Sequence, residues 1–289
     1  MPTLRAIERM GFEAVEIGVS DARFRRKKAL KFLKRSSLAV VSVHNVLSEG
    51  KVDPANRWGD WLASPDPAKR RKGLDATLQT LDHAEALGAR AVVLHLGAPL
   101  FEDRGEKQQL LYRLGGGSPR VADELGVSIA DVLAERQAVA PRYLDAACQS
   151  LAELLDYNSP VKLGVECRMG WHELPNLEEL GLLLDRFPDP RVGYWHDVGH
   201  AVLRSAMGLE GRLEWLERHG DRTVGVHLHD VVSRGVRLLD HYPPGLGSVH
   251  FQPLARLVPR NALRVMEVSS RFIAEEVLMG RSCLEGMGL

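Results

Sequence analysis

One unit recurs along this chain and limits what it can fold into. A short apolar run ends in a side chain able to bind a metal or move a proton, and a helix-patterned stretch follows. The strongest example is Val192-Gly193-Tyr194-Trp195-His196-Asp197-Val198-Gly199-His200-Ala201, where Asp197 and His200 stand three residues apart at the point where a strand should give way to a loop. Thr223-Val224-Gly225-Val226-His227-Leu228-His229-Asp230 and Leu263-Arg264-Val265-Met266-Glu267 repeat the design. Nearly continuous apolar strands alternating with helices predict a parallel sheet covered by helices.

Seven such strands are expected, ending at Ile17, His44, His95, Glu166, Asp197, His227 and Glu267. A closed (β/α)8 TIM-type barrel has eight, and this chain opens with a helix closed by Gly11. The expectation is therefore an α/β barrel whose first strand is lacking or distorted, with residues 1–289 as a single domain. Between strands, Asp21 should cap a basic helix to about 35, and residues 68–87 should be helical with Gly88 as the stop. A helix beginning near Ile129 or Pro141 should reach Tyr157, and Asn176 with Glu178 and Glu179 should start one running to Phe187. Shorter helices are expected over 210–219, 254–258 and 272–278. Three long connections remain as loops: 45–67 with Asp53, Pro54, Trp58 and Trp61; 96–126, broken by Gly115-Gly116-Gly117-Ser118-Pro119 and read as a mobile cover; and 233–249 with Asp240 and His241.

Composition narrows the function classes. Lysine plus arginine (38) equals aspartate plus glutamate (38), so no global field draws the chain to nucleic acid or an acidic membrane. Three widely spaced cysteines do not make a disulfide framework and suit a reducing compartment. The first residues lack an apolar signal core and no window is long enough to span a bilayer. A cytoplasmic protein without membrane partners is expected, and a homo-oligomer is compatible with this composition.

Six of the seven strands end in His, Asp or Glu, and the carboxyl ends of barrel strands are where catalytic groups gather. A single histidine there has an ordinary explanation as a hydrogen-bonded packing residue. The set is harder to explain that way, because converging buried carboxylates and imidazoles need a metal or paired charges to compensate them. Glu166, Asp197, His227 and Glu267 would form a mixed oxygen and nitrogen site for a divalent metal such as Mn, Mg, Co or Zn. His229 shares a strand face with His227, so spacing leaves open which is the ligand, whereas Cys167 should point away from Glu166. Arg168 suits a substrate oxyanion or, equally, a surface salt bridge. Trp58 and Trp61 suit sugar stacking or packing on their own domain. The glycine run at 115–117 lacks the context of a phosphate loop, and Arg25, Arg26, Lys27 and Lys28 read as a solvated helix face.

At these residues the chain resembles the xylose-isomerase-like TIM-barrel superfamily, which holds sugar isomerases and epimerases and also endonuclease IV. The resemblance covers nearly the whole chain. It is carried by Ser42-Val43-His44, Val93-Leu94-His95-Leu96-Gly97, Gly164-Val165-Glu166, His196-Asp197-Val198-Gly199-His200-Ala201, Val226-His227-Leu228-His229-Asp230, Asp240-His241 with Gly245-Leu246-Gly247, and Val265-Met266-Glu267. The ketose epimerases imply one metal on Glu166, Asp197, a histidine of the His227/His229 strand, and Glu267. Both glutamates would also move the proton through a metal-stabilised enediolate, and His200 would contact the sugar or sugar phosphate substrate. Endonuclease IV implies further metal ligands at His44, His95, His200 and His241, hence a trinuclear zinc phosphodiesterase acting on abasic DNA. One departure counts against it: the aspartate expected two residues before His241 is Leu239, with Asp240 one place off. Neutral net charge adds no support for duplex binding. A barrel that has lost catalysis and serves as a binding module is the third reading.

Overall fold

The computed structural model describes residues 2–18, 26–47, 61–116, 119–235 and 237–289. Asp21, Arg25, Asp53, Pro54, Trp58, Gly117 and Ser118 lie outside them.

Strands β1 (Ala14–Ile17), β2 (Ala39–His44), β3 (Ala91–Leu94), β4 (Lys162–Glu166), β5 (Val192–Asp197), β6 (Thr223–Leu228) and β9 (Leu263–Met266) form one seven-stranded sheet in that order. Every neighbouring pair is parallel. The sheet curls into a nearly closed barrel. Among the described residues no strand pairs with the outer edges of β1 or β9, where the eighth position of the barrel would be.

Around the sheet run α1 (Pro2–Arg9), α2 (Arg26–Leu33), α3 (Pro67–Leu87), α4 (Arg104–Gly115), α5 (Pro119–Leu125), α6 (Ile129–Asp156), α7 (Leu177–Arg186), α8 (Val198–Ala206), α9 (Glu214–His219), α10 (Phe251–Leu257) and α11 (Ala274–Glu285). At the seam, Arg281 of α11 donates to the carbonyls of Met10 and Gly11 and lies over the Phe12 ring. The helical layer is thus tied together where the strands are not.

Two apolar layers follow from strand alternation. Val15, Val43, Val92, Leu163, Val165, Val226 and Leu228 face the helices in the main core. Ala91, Val93, Trp195 and Leu263 fill the bore, with Val41, Val224 and Val265 beside them. The fully buried Trp195 ring fits because its neighbours on β4 and β6 are Gly164 and Gly225, where a Cβ would overlap the indole. Register slips between β1 and β2, so that Val15 pairs with Val40 but Glu16 pairs with Ser42. That bulge turns Ser42 and His44 toward the bore.

Local signals explain the ends of several elements. Asp66 caps α3 and Gly88 closes it at φ 73°. Asn176 and Glu179 form a capping box on α7. Ser128 and Asp131 do the same for α6, so this helix begins at Ile129 and continues through Pro141.

Several expectations need correction. Residues 96–126 are not a loop throughout: α4 and α5 occupy much of the stretch, and α4 packs into a satellite cluster of Phe101, Leu111, Val132, Trp171 and Met207. Gly115 ends α4 against the backbone of residues 206–208, where no side chain fits. Residues 233–249 hold the antiparallel hairpin β7 (Asp230–Arg234) and β8 (Arg237–Tyr242). Its base is held by the buried Asp230 carboxylate, which accepts backbone N–H groups from Val231, Gly245, Gly247 and Val249. No loop follows Asp197, because α8 begins at the next residue. The helices expected over 210–219 and 272–278 run over Glu214–His219 and Ala274–Glu285.

Candidate metal centre

Four strand ends bring Glu166, Asp197, His227 and Glu267 together, with one ligand-type atom from each lying within 4.8 Å of the others. His227 Nδ1 is the hub: it stands 3.0 Å from Glu166 Oε1, 3.0 Å from Glu267 Oε2 and 3.5 Å from Asp197 Oδ2. The register that pairs Asp197 with His227 puts these two side by side. The α8 N-terminus fixes Asp197, whose Oδ1 accepts the His200 backbone N–H at 2.7 Å.

Geometry separates His227 from His229. His229 Nδ1 accepts the His241 backbone N–H at 2.9 Å, so the ring proton sits on Nε2 and is donated to Asp197 Oδ1 at 3.0 Å. Both His229 nitrogens are engaged in this arrangement, while His227 Nδ1 points at the three carboxylates; His229 also stands with His241 and Glu267 in a further ligand-type group.

Burial alone would suppress ionisation here, so the surrounding charges decide the protonation states. Glu166 is pushed up by burial, yet His95 and Arg168 hold its carboxyl well below the usual carboxylate range. Burial also opposes ionisation of Asp197 and Glu267. His200 and His229 hold Asp197 far below its ordinary value, and His227 does the same for Glu267. Burial lowers the His227 pKa, but Glu267 and Glu16 outweigh it and raise the group well above an ordinary histidine. Glu166, Asp197 and His227 are all fully buried. Three carboxylates converging on one imidazole make a donor set that suits a hard or borderline divalent cation, whose charge would offset theirs.

Three more groups flank the centre: His44, His95 and Glu166; His200, Asp240 and His241; and His229, His241 and Glu267. His95 Nε2 approaches Glu166 Oε2 to 2.6 Å, and the His44 ring stacks on His227 at 5.8 Å. His200 Nδ1 donates to the Cys167 carbonyl at 3.0 Å, leaving Nε2 free to accept. Despite its one-residue offset, Asp240 lies with His200 and His241 in one of these groups. His241 adopts φ 57°, a left-handed conformation rare for histidine, which breaks strand alternation so that both Asp240 and His241 reach toward His200.

Arg168 is neither exposed nor free: its guanidinium donates to Glu166 Oε2 at 2.9 Å and to Glu173 Oε1 at 3.1 Å while only 5% exposed. This disposes of the surface salt bridge and makes Arg168 a brace for Glu166. Cys167 faces the helices in the main core, as its position after Glu166 implies. Trp61 packs on that core, against Gly73. Two site residues escaped the sequence reading. Glu173 lies in a connection with no periodic signal. Glu16 was passed over because strand ends were counted by their last residue, yet it is the lone charge between Val15 and Ile17, both of which face the helices.

The profile of the xylose isomerase-like TIM barrel family matches residues 4–264. The chain belongs to that family. None of the curated proteins is a significant sequence match. Among solved structures, the chain is similar to D-psicose 3-epimerase from Clostridium cellulolyticum H10, at 12% identity and a TM-score of 0.67, covering 99% of this chain and 93% of that one. It is also similar to 3-keto-D-glucoside 4-epimerase from E. coli, at 15% identity and a TM-score of 0.65, covering 98% and 92%. A third is the IolI protein with a bound zinc atom, at 14% identity and a TM-score of 0.65, covering 98% and 91%. At such identities the likeness is one of fold.

Proposed function

We propose that the protein is a divalent-metal-dependent isomerase or epimerase of a sugar or sugar phosphate. The observation that carries this reading is the placement of Glu166 and Glu267, each 3.0 Å from His227 Nδ1, with Asp197 alongside. Glu166, Asp197, His227 and Glu267 would hold the cation, and the epimerases and the zinc-bearing relative of the same fold support that assignment. A bound cation would polarise a substrate carbonyl and its neighbouring hydroxyl.

The residues themselves move the proton. Glu166 and Glu267 are held ionised by their neighbours, so either can accept a carbon-bound proton next to the carbonyl. The second glutamate then returns it, to the other face in an epimerase or to the adjacent carbon in an isomerase. Arg168 and His95 fix the orientation of Glu166, while Glu267 is the more open of the two, with 30% of its side chain exposed. His200 Nε2 can accept a substrate hydroxyl because its other nitrogen is committed to Cys167. His44 and His241 extend the polar lining of the mouth.

A second reading, a multinuclear zinc phosphodiesterase acting on abasic DNA, is favoured by one specific observation: each of the three flanking groups brings three ligand-type residues within 4.8 Å. Metal content and turnover separate the two. About one ion per chain and solvent-deuterium incorporation into a ketose support the isomerase. Three zinc ions with cleavage of abasic DNA, and no exchange in any sugar, would replace it. A metal-loaded protein that turns over neither leaves a binding module. Among the described residues no helix is long and apolar enough to cross a membrane, and all three cysteines are free, which supports a reducing cytosolic location.

A further inference from the structure

We infer that Glu16 is a positioning residue that fixes the His227 ring so that Nδ1 faces the metal centre. The inference rests on the metal-centre reading above and adds a residue outside its four-ligand set.

The His227 imidazole has one nitrogen on each side. Nδ1 meets Glu166 and Glu267 at 3.0 Å, while Nε2 meets Glu16 Oε1 at 3.1 Å. A carboxylate can only accept, so each ring nitrogen donates to the carboxylates it faces; a cation at Nδ1 would take the place of the proton there, while the Nε2–H bond to Glu16 stays and holds the ring. Glu16 is itself held: Ser42 donates from Oγ to Glu16 Oε2 at 2.6 Å, and its side chain is only 7% exposed. The slipped register between β1 and β2 is what sets Ser42 opposite Glu16. With one oxygen on Ser42 and the other on His227, the carboxylate cannot swing away without losing both bonds. His44 stacks on the ring at 5.8 Å and Trp195 meets it edge-on at 5.1 Å. A half-turn about Cβ–Cγ would put Cδ2 in the place of Nδ1 and Cε1 in the place of Nε2, and the Nε2 bond to Glu16 opposes that turn. A partner on the far nitrogen of a metal-bound histidine orients the ring and raises its basicity, and losing one typically weakens metal binding about 10–100-fold.

The test reads metal affinity, with Zn2+ in a chelator competition and Co2+ by its visible absorption. Glu16→Leu should weaken Zn2+ binding about 10–100-fold and alter the Co2+ bands, with circular dichroism unchanged. Glu16→Gln retains an acceptor oxygen and should recover most of the affinity, which a merely space-filling role would not require. Ser42→Ala loosens the carboxylate without touching His227 and should produce a smaller loss in the same direction; if Glu16→Leu does not fold, this variant decides. Native-like affinity in Glu16→Leu and Ser42→Ala, or a Glu16→Gln variant as weak as Glu16→Leu, would overturn the inference while leaving the metal centre intact. A wild-type protein that binds neither Zn2+ nor Co2+ would remove the metal centre, and this inference with it.

Discussion

The rings of His229 and His241 lie face to face, centroids 4.4 Å apart and planes within 6°, and the His241 backbone N–H points at His229 Nδ1. This contact joins the end of β6 to the hairpin that carries Asp240 and His241, and it commits the other His229 nitrogen to Asp197. His229→Ala should therefore destabilise the fold by about 1–3 kcal/mol, since it leaves a buried carboxylate and a backbone N–H short of partners. Its Zn2+ affinity should fall much less than that of His227→Ala. Equal losses in the two variants would show that His229 is itself a ligand.

Glu267→Gln should lower kcat by about 10²–10⁴-fold, the usual contribution of a positioned acid or base. Zn2+ affinity must be measured alongside, so that a lost ligand and a lost proton carrier are told apart. A variant with full turnover ends the proton-transfer role assigned to Glu267.

Metal removal should lower thermal stability, because the cation offsets carboxylates that otherwise crowd one imidazole. At a free metal concentration a hundred times Kd, linkage gives about 2.7 kcal/mol. Differential scanning calorimetry with and without chelator reads this directly, and an unchanged Tm would argue against binding at this buried site.

Acid should act through Glu173. Burial raises its pKa, but Arg168 and His172 outweigh that and lower it to about 2. A carboxylate depressed in the folded state contributes stability that is present above its unfolded pKa and lost as pH falls towards the folded value. The contribution is roughly 3 kcal/mol for a shift of this size. The stability gap between wild type and Glu173→Gln should be constant above about pH 5 and shrink as pH falls towards 2. A gap independent of pH would exclude the pairing as its source.

Gly225→Ala should destabilise the barrel by about 1–3 kcal/mol, because the added methyl group meets the Trp195 ring in a filled bore. Denaturant unfolding with an unchanged m-value is the check.

The seven strands and the four central side chains were legible because buried parallel strands need long apolar runs, and a polar residue ending such a run stands out. Glu16 has the same character but sits one residue inside its strand, so a rule based on last residues missed it. Glu173 could not be found by periodicity, since its connection has none; its place is explained by the buried guanidinium of Arg168 and the Gly170 backbone N–H. The different hydrogen-bond partners of His227 and His229 are not encoded in their spacing. Asp240 looked misplaced against the resemblance because a sequence does not display the left-handed turn at His241. Gly164 and Gly225 are the trace of a tryptophan lying across the bore, which a strand's apolar pattern does not reveal.

Among the described residues the outer edges of β1 and β9 are unpaired, which makes the inner sheet a strip and not a hoop. In a hoop, strand register must agree all the way round, and that agreement locks pitch and diameter. A strip has no such closure condition. Its curvature here is held by the Arg281 clasp outside, the Trp195 plug within, and the reach of Glu16 on β1 across to His227 on β6. Because Glu16 and Glu267 stand on the two strands that border the gap, a small change in its width is felt at once on both sides of the same imidazole. The gap is therefore bordered by two of the three carboxylates that lie within 3.1 Å of the His227 ring nitrogens.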